Sequence, residues 1–470
     1  MVGLQICRDN ISLYCIFVID HGSVIVHYND MFAEIQLYRE GSWQVIAQYS
    51  PFKEQVSNVY VGCGGYLEYD ATYVTAFLSS QDGHCFPRVS LPLPIDFLAL
   101  RHERWPAFLL DLVPTGAGRR SWLERLQLGD NPTSDWSLLT KGARHPVGWL
   151  RVTDGQELPE PVIKPQGFPR SEVALRESGF LEYMISQGAS VAGSSDVQGE
   201  SPKLLLVEDR EGLLHAGGAL PDHQAARHWL VKFARNRSER EHQIIRNEGA
   251  YLRLASLLGA EVYAADQIAF DEERSLFIPR FDRVCLSEGG VLRHGLESFA
   301  SVAGTAEFGV RARHEEHCRL IATYSSCPAI DLLEYLRRDI LNICLGNPDN
   351  HARNHAFLKQ ATGEVRISPL YDVAPMFLSD EGYARVVRWD QSRETMAQPD
   401  WLAVGNYLLT VPGTPGAQQI AAMYQFLADH FTNFTELARS TGVSDEVIAR
   451  RSSTVNQNRE LLADAAERIS

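Results

Sequence analysis

The sequence predicts a two-lobed α+β fold with a β-rich N-terminal subdomain and a helical C-terminal lobe. Three observations carry that expectation. A chain of 470 residues is too long for one ordinary hydrophobic core. Alternating or β-branched stretches dominate the first hundred residues and recur between loops in the middle of the chain. Helical spacing takes over after about residue 298. A strand-rich block followed by a helix-rich one leaves a cleft between lobes as the natural ligand site.

In chain order, "SVIVHYND", "FAEIQLYRE" and "WQVIAQYS" read as strands, punctuated by Asp, Gly and Pro. "LPLPID" is a proline-stiffened connection, and "RRSWLERLQL" a helix. Residues 1–152 form the N-terminal subdomain in this reading, closed by the polar, proline-bearing "TDGQELPEPVIKPQGFPR". Residues 170–297 follow as a second unit. There "PKLLLVED" and "LLHAGG" flank a turn, "HWLVKFA" is an apolar strand, and "NEGAYLRLASLLG" is a helix ending at Gly259. "EVYAADQIAFDEERSLFIPRFD" reads as strand, turn, strand. Residues 298–470 form the helical lobe, with "HEEHCRLIATY", "IDLLEYLRRDILNICLG" and a C-terminal set from Gln418.

Composition limits the function classes. Hydrophobic residues at 45% and charged residues at 22% describe a folded, soluble chain. Lys+Arg 44 against Asp+Glu 59 gives a net charge of -15, which argues against broad phosphate-backbone binding by this chain alone. Eight cysteines without a C-x-x-C pair make neither a disulfide framework nor a zinc ribbon, and they suit a reducing compartment. The N-terminal stretch lacks a basic leader region and a cleavage site, and no apolar run reaches the roughly 18 residues of a membrane span. The expectation is a cytoplasmic protein with no membrane partner.

The densest chemistry lies in "LGNPDNHARNHAFL", residues 345–358. Gly346 and Pro348 stop the preceding helix, so Asp349 sits on a loop at a helix end. "HAFLKQ" and "EVRISP" around Thr362-Gly363 predict a hairpin that returns the chain to "PLYDVAP" and brings Asp372 back towards Asp349 and Asn354. A carboxylate, an amide five residues on, and a second carboxylate suit phosphoryl transfer. One Asp orients the attacking hydroxyl, while Asn and Asp oxygens hold Mg2+ against nucleotide phosphates. Two rival readings stay open. His351 and His355, four residues apart, would share a helical face as zinc ligands, although Ala352 stands where a general-base Glu is needed. Alternatively the polar side chains only satisfy backbone groups in turns.

Two further stretches bear on this choice. "GASVAGSSDVQGESPK" supplies Gly188, Gly193 and Gly199 and ends on Lys203, a loop whose N–H groups could cradle phosphate or be plain surface. It is not a Walker A loop, because Lys203 precedes a strand and G-K-[ST] is missing. Lys232, inside an apolar strand, either snorkels at an edge or turns towards phosphate. Glu248 is expected as a solvated residue in the first turn of the next helix, with pairing to Lys232 as the alternative.

Together these tracts resemble the HipA family of bacterial serine/threonine kinases, the toxins of type II toxin–antitoxin modules. "LGNPDNHARNHAFL" is similar to that family's N-x-D-x-H-x-K/R-N tract, "SPLYDVAP" to its second magnesium motif, and "GESPK" to its G-x-x-P-K loop. "LFIPRFDR" looks like its R-F-D-R hinge strand, and "FLLDLVPTGAGRRSW" like its N-terminal block. The likeness covers roughly residues 105–380, and the first hundred residues match loosely.

The resemblance implies a protein-kinase-like fold using ATP and Mg2+. It implies Asp349 as the catalytic Asp with His351 bracing it, Asn354 and Asp372 as metal ligands, and Lys232 on the nucleotide phosphates. Val197, Gln198, Gly199, Glu200, Ser201 and Lys203 would form the phosphate loop, and Pro279 to Phe281 would border adenine. Many family members carry an autophosphorylated Ser just before that loop. Here Asp196 takes the place without a gap, and Ser194 or Ser195 takes it with one. A fixed negative charge at Asp196 would replace a switchable one. The implied partners are a protein substrate, such as an aminoacyl-tRNA synthetase or other translation factor whose modification arrests growth, and a HipB-like antitoxin through which DNA would be contacted indirectly. A small-molecule kinase of related fold and a pseudokinase scaffold remain as alternatives.

Overall fold

The computed structural model describes all residues except 1–15, 21–22, 28–30, 81–85, 143–145, 156–164, 187–201, 237, 308, 380–381, 383 and 470. A hairpin of β1 (Ile16–Asp20) and β2 (Ser23–His27) precedes the N-terminal sheet. That sheet is antiparallel and contains β3 (Ala33–Arg39), β4 (Ser42–Pro51), β5 (Gly65–Tyr69), β6 (Leu100–His102) and β7 (Leu150–Thr153), in the order β6-β5-β4-β3-β7. Every second residue of β3 from Ala33 to Leu37 is buried, so the period-two pattern in the sequence becomes a core face. Three helices, α1 (Ala71–Ser79), α2 (Gly116–Leu126) and α3 (Ser134–Gly142), belong to this unit. Its core includes Ile35, Leu67, Trp105, Trp122 and Trp136.

The second sheet holds β8 (Lys203–Asp209), β9 (Leu214–Ala216), β10 (Ala225–Phe233), β11 (Ala269–Asp271) and β12 (Ser275–Pro279), in the order β11-β12-β10-β8-β9. Helices α4 (Arg170–Leu175) and α5 (Ser178–Ser186) cover one face, where Val173, Phe180 and Met184 meet Leu206, Trp229, Val231 and Phe277. The opposite face carries Leu205, Leu230, Lys203 and Lys232. Lys232 faces Lys203 and Leu230 faces Leu205 across the β8–β10 ladder, so all four share one side.

Residues 261–267, expected as a strand, are not one; pairing begins at Ala269. The backbone of Glu261 is taken by other elements. Its N–H donates to the Glu334 carboxylate at 2.9 Å, and its carbonyl accepts from Leu370 N–H at 2.7 Å.

Helix α6 (Glu239–Leu257) packs on β12. Strands β13 (Arg283–Cys285) and β14 (Val291–Arg293) form a hairpin, and β15 (Gly295–Ser298) pairs with β16 (Ala356–Lys359), which pairs with β17 (Val365–Ile367). The helical lobe adds α7 (His314–Tyr324), α8 (Pro328–Leu345), α9 (Trp401–Leu408), α10 (Ala417–Thr432), α11 (Phe434–Ser440) and α12 (Asp445–Arg468). One large core joins Tyr251 and Leu254 of α6 to Tyr335 and Ile340 of α8 and to Leu462 of α12.

Helix α8 stops as its sequence requires. Gly346 takes a left-handed φ of +71°, and Arg451 of α12 donates to the last-turn carbonyls of Ile343 and Cys344. Asp349 lies three residues beyond the Gly346 cap. Among the described residues no helix is long and apolar enough to cross a membrane.

Candidate active site

Lys232 is 2% exposed and bridges two carboxylates. Its Nζ donates to Glu248 Oε1 and, at 2.5 Å, to Asp372 Oδ1. A buried ammonium needs this degree of pairing, because desolvation otherwise drives it neutral. Burial pulls Lys232 down, but Asp372 and Glu248 overcome it and hold it well above the ordinary lysine range. The complementary balance holds at Asp372: burial would raise the carboxyl, and the Lys232 and Lys203 ammoniums keep it well below the usual carboxylate range. Lys203, the register partner of Lys232, is pushed down to about 8 by burial, with Asp372 resisting and the like charge of Lys232 adding to the fall.

Glu248 corrects the sequence reading. It is not a solvated first-turn residue but lies in the middle of α6, 3% exposed. The helix begins two turns earlier than its apolar pattern, at Ser238, whose side chain accepts from Glu241 N–H. That shift turns Glu248 inwards to Lys232.

Asp349 lies at the end of α8's loop, its N–H donating to Asn347 Oδ1 at 3.3 Å. Asn354 Nδ2 donates to the Asp349 carbonyl at 2.7 Å, which leaves its amide oxygen as the acceptor. Burial raises the Asp349 carboxyl, Asp372 adds to the rise, and His351, Lys203 and Arg235 oppose it. His351 Nε2 stands 3.5 Å from Asp349 Oδ1. Asn350 pins the same loop by accepting from Val387 N–H and donating to its carbonyl. Asp372 has a φ of +58°, a left-handed conformation that a non-glycine residue holds only where its surroundings enforce it.

The predicted hairpin is present as β16 and β17, and it returns the chain to Asp372. Lys203, Lys232, Asp349 and Asp372 therefore form one electrostatic group, with His351 and Asn354 on its edge. Beside it lies a pocket walled by Leu205, Leu230, Ile278, Phe281 and Tyr371, with Lys232 and Asp372 at one end. The rings of Phe281 and Tyr371 lie 6.0 Å apart. A planar apolar wall beside paired cations and carboxylates suits a nucleotide. Val197, Gln198, Gly199, Glu200 and Ser201, with Ser194, Ser195 and Asp196, lie outside the described residues.

The zinc alternative finds no support in the geometry. Residues 351–355 are turns rather than helix, so the two imidazoles do not share a helical face. His355 is buried against Phe299, His317 and Tyr335. Among the described residues, no three His, Cys, Asp or Glu side chains gather as a metal cage. Sequence reasoning missed Arg235 and Asp111. Arg235 bears on Asp349, and Asp111 anchors Arg353 within the loop that carries Asp349. The basic residue of the tract was visible as Arg353, but nothing local points to its partner.

The HipA-like C-terminal domain family model matches residues 195–454. The serine/threonine-protein kinase toxin HipA of Shewanella oneidensis is 24% identical over 340 residues, covering 67% of this chain and 74% of that protein. A putative kinase of Sinorhizobium fredii, Y4mE, is 26% identical over 286 residues, covering 58% of this chain and 65% of its own. Among solved structures, HipA of S. oneidensis in complex with HipB and operator DNA superimposes with a TM-score of 0.55 at 18% identity. That match covers 93% of this chain and 97% of that one, a likeness of fold.

Proposed function

This chain belongs to the HipA-like family and is a kinase of HipA type, and from that premise we propose that it transfers the γ-phosphoryl group of ATP to a serine or threonine hydroxyl of a protein. The observation that carries the reading is the Lys232 bridge between Glu248 and Asp372, at the end of a pocket walled by Phe281. It assembles the phosphate-facing cation, its helix partner and the metal-binding carboxylate from three separate elements.

Each residue then has a defined task. Lys232 and Lys203 draw the nucleotide phosphates. Asp349, raised by burial, is a stronger base than an exposed aspartate and takes or orients the proton of the attacking hydroxyl. His351 braces Asp349 from 3.5 Å, and Asn354 fixes its backbone from the other side. Phe281 flanks the base. The hard oxygens of Asn354 and Asp372 would hold Mg2+, and two protein ligands suffice because this ion keeps waters and phosphate oxygens in its shell. When bound, the ion neutralises charge developing on the transferred group.

The substrate we favour is a cytosolic translation protein, such as an aminoacyl-tRNA synthetase, whose phosphorylation arrests growth. A HipB-like antitoxin is the proposed partner. The solved relative is in complex with HipB and operator DNA, and a net charge of -15 agrees with DNA contact made through a partner.

Purified protein with labelled ATP, Mg2+ and a cell lysate should label one or a few proteins. Asp349→Asn and Asp372→Asn should each abolish the label; transfer that survives both substitutions refutes the assignment. Phosphate on Ser194 or Ser195 after incubation with ATP would mark the self-inactivating site, and an unmodified, active enzyme would favour Asp196 as its fixed replacement.

A further inference from the structure

A cavity of about 960 Å³ opens between the N-terminal sheet and the second sheet, within the size range of small-ligand pockets. It lies next to the nucleotide pocket, and Arg280 borders both. Tyr38, Trp43, Arg151, Asp222 and Arg293 border this cavity and not the nucleotide pocket.

Its wall is built from stacked flat groups. Tyr38 and Trp43 meet edge to face with centroids 5.1 Å apart. The Arg293 guanidinium lies 3.3 Å from the centroid of the Tyr38 ring, and that of Arg151 lies 4.4 Å from the centroid of Trp43. Asp222 fastens the group, accepting from Tyr38 Oη at 2.5 Å and pairing with Arg293 at 3.4 Å. Guanidinium planes and aromatic faces both stack on planar rings. Asp222 is a ready acceptor for a ring amino or imino N–H.

The charge of the cavity opposes that of the molecule. Five arginines border it, at 39, 151, 280, 283 and 293, against the carboxylates of Glu40 and Asp222, in a chain of net charge -15. A cationic, low-dielectric cleft of this kind concentrates small anions.

We propose that this cavity is a second ligand site, taking a purine mononucleotide: a planar base on the Tyr38–Trp43–Arg293 wall and a phosphate on the remaining arginines. Arg280 links it to the neighbouring pocket. It donates to Asp282 at 2.9 and 2.6 Å, and Asp282 also accepts from Arg283 and from Gly148 N–H at 2.7 Å. A phosphate that competes for Arg280 therefore acts on the turn between β12 and β13 that carries Phe281. That coupling rests on the kinase reading; the binding does not.

The test uses the full chain with its first site filled by adenylyl imidodiphosphate and Mg2+, titrated calorimetrically with GMP and with AMP. One-to-one binding of either nucleotide is expected. Arg293→Gln and Trp43→Ala should each weaken it at least about tenfold, the loss of one charge-assisted or stacking contact. Ribose 5-phosphate, which lacks the ring, should bind more weakly still. Arg151→Gln replaces either variant if its melting curve shows misfolding. Asp349→Asn protein should bind GMP or AMP unchanged, which separates this site from failure of the kinase reading. No saturable binding of either nucleotide, or binding indifferent to the wall substitutions, overturns the proposal.

Discussion

Asp111 of the N-terminal subdomain holds Arg353, in the loop that carries Asp349, in a part-buried ion pair that spans 242 positions of sequence. The same carboxylate accepts from Ser298 N–H at 2.9 Å and Ser298 Oγ at 2.8 Å. Arg353 in turn offers its carbonyl to Tyr371 Oη at 3.0 Å, and Tyr371 directly precedes Asp372. One carboxylate outside both lobes of the site thus anchors the loop bearing Asp349 and, through it, the segment bearing Asp372. On the proposed function, the N-terminal subdomain is part of what positions the chemistry.

Asp111→Ala should therefore act on both stability and turnover. It strips the principal ionic partner from a buried guanidinium, a change worth about 3–5 kcal/mol in comparable pairs. Urea unfolding should register a loss of that order. Steady-state kinetics of the surviving fold should show kcat falling and KM for ATP rising together, because the loop bearing Asp349 and the pocket residues Tyr371 and Asp372 share this anchor. A variant that loses stability yet keeps its kcat would confine Asp111 to a structural role.

The Lys232 bridge makes a graded prediction. Lys232→Met leaves Glu248 and Asp372 buried without their common cation, and should destabilise by about 3–5 kcal/mol as well as ending phosphoryl transfer. Glu248→Gln should be milder, since Asp372 still holds the ammonium. The two substitutions should couple by at least about 1 kcal/mol in a double-mutant cycle. Additive effects would mean that the pairing contributes nothing to the site.

What the sequence made legible follows from where the information is local. Asp349, Asn354 and Asp372 could be placed together because a helix stop, a turn and a hairpin lie between them, and each has its own residue signal. Lys232 was readable as a cation inside an apolar strand, though not as a bridge. Glu248 was misread because the polar run from Glu239 to Arg246 hides the first two turns of α6. The Ser238 cap, with Glu three residues on, was the available sign. Residues 261–267 have strand-like composition, but Glu334 and Leu370 take the backbone bonds of Glu261. Asp111 could not be found this way at all, since its partner is set by how two lobes pack and no local pattern encodes that.

Asp349 and Asp372 should separate by assay although they share one group of charges. Asp349→Asn should keep nucleotide affinity within about threefold, because the proposed function gives Asp349 the attacking hydroxyl rather than the phosphates. Its kcat should fall by about 10²–10⁴, the usual scale for a positioned general base. Asp372→Asn should weaken nucleotide binding in the presence of Mg2+ and change little in its absence. Equal loss of nucleotide binding in both variants would contradict these separate roles.

In the core of the helical lobe, Tyr335 links two buried histidines, its hydroxyl 2.7 Å from Nδ1 of both His314 and His317. One hydroxyl hydrogen serves two imidazoles only if the tyrosine donates to one and accepts from the other, so one ring must present an unprotonated Nδ1. Burial, with the neighbouring His314 adding to it, pushes His317 down to about 3; burial and then Arg385 push His314 well below the ordinary range. In the unfolded chain both titrate near about 6.5. Below that pH the unfolded state binds more protons than the folded one, so the stabilisation is complete above about pH 6.5 and is lost as pH falls towards 3. Each histidine contributes a slope of up to about 1.4 kcal/mol per pH unit in that window. Unfolding free energies measured between pH 7 and pH 5 should therefore drop steeply, while His317→Gln, whose amide can still bond Tyr335, should lose one histidine's share of the slope. Parallel pH profiles for the two proteins would show that His317 is already protonated in the folded state.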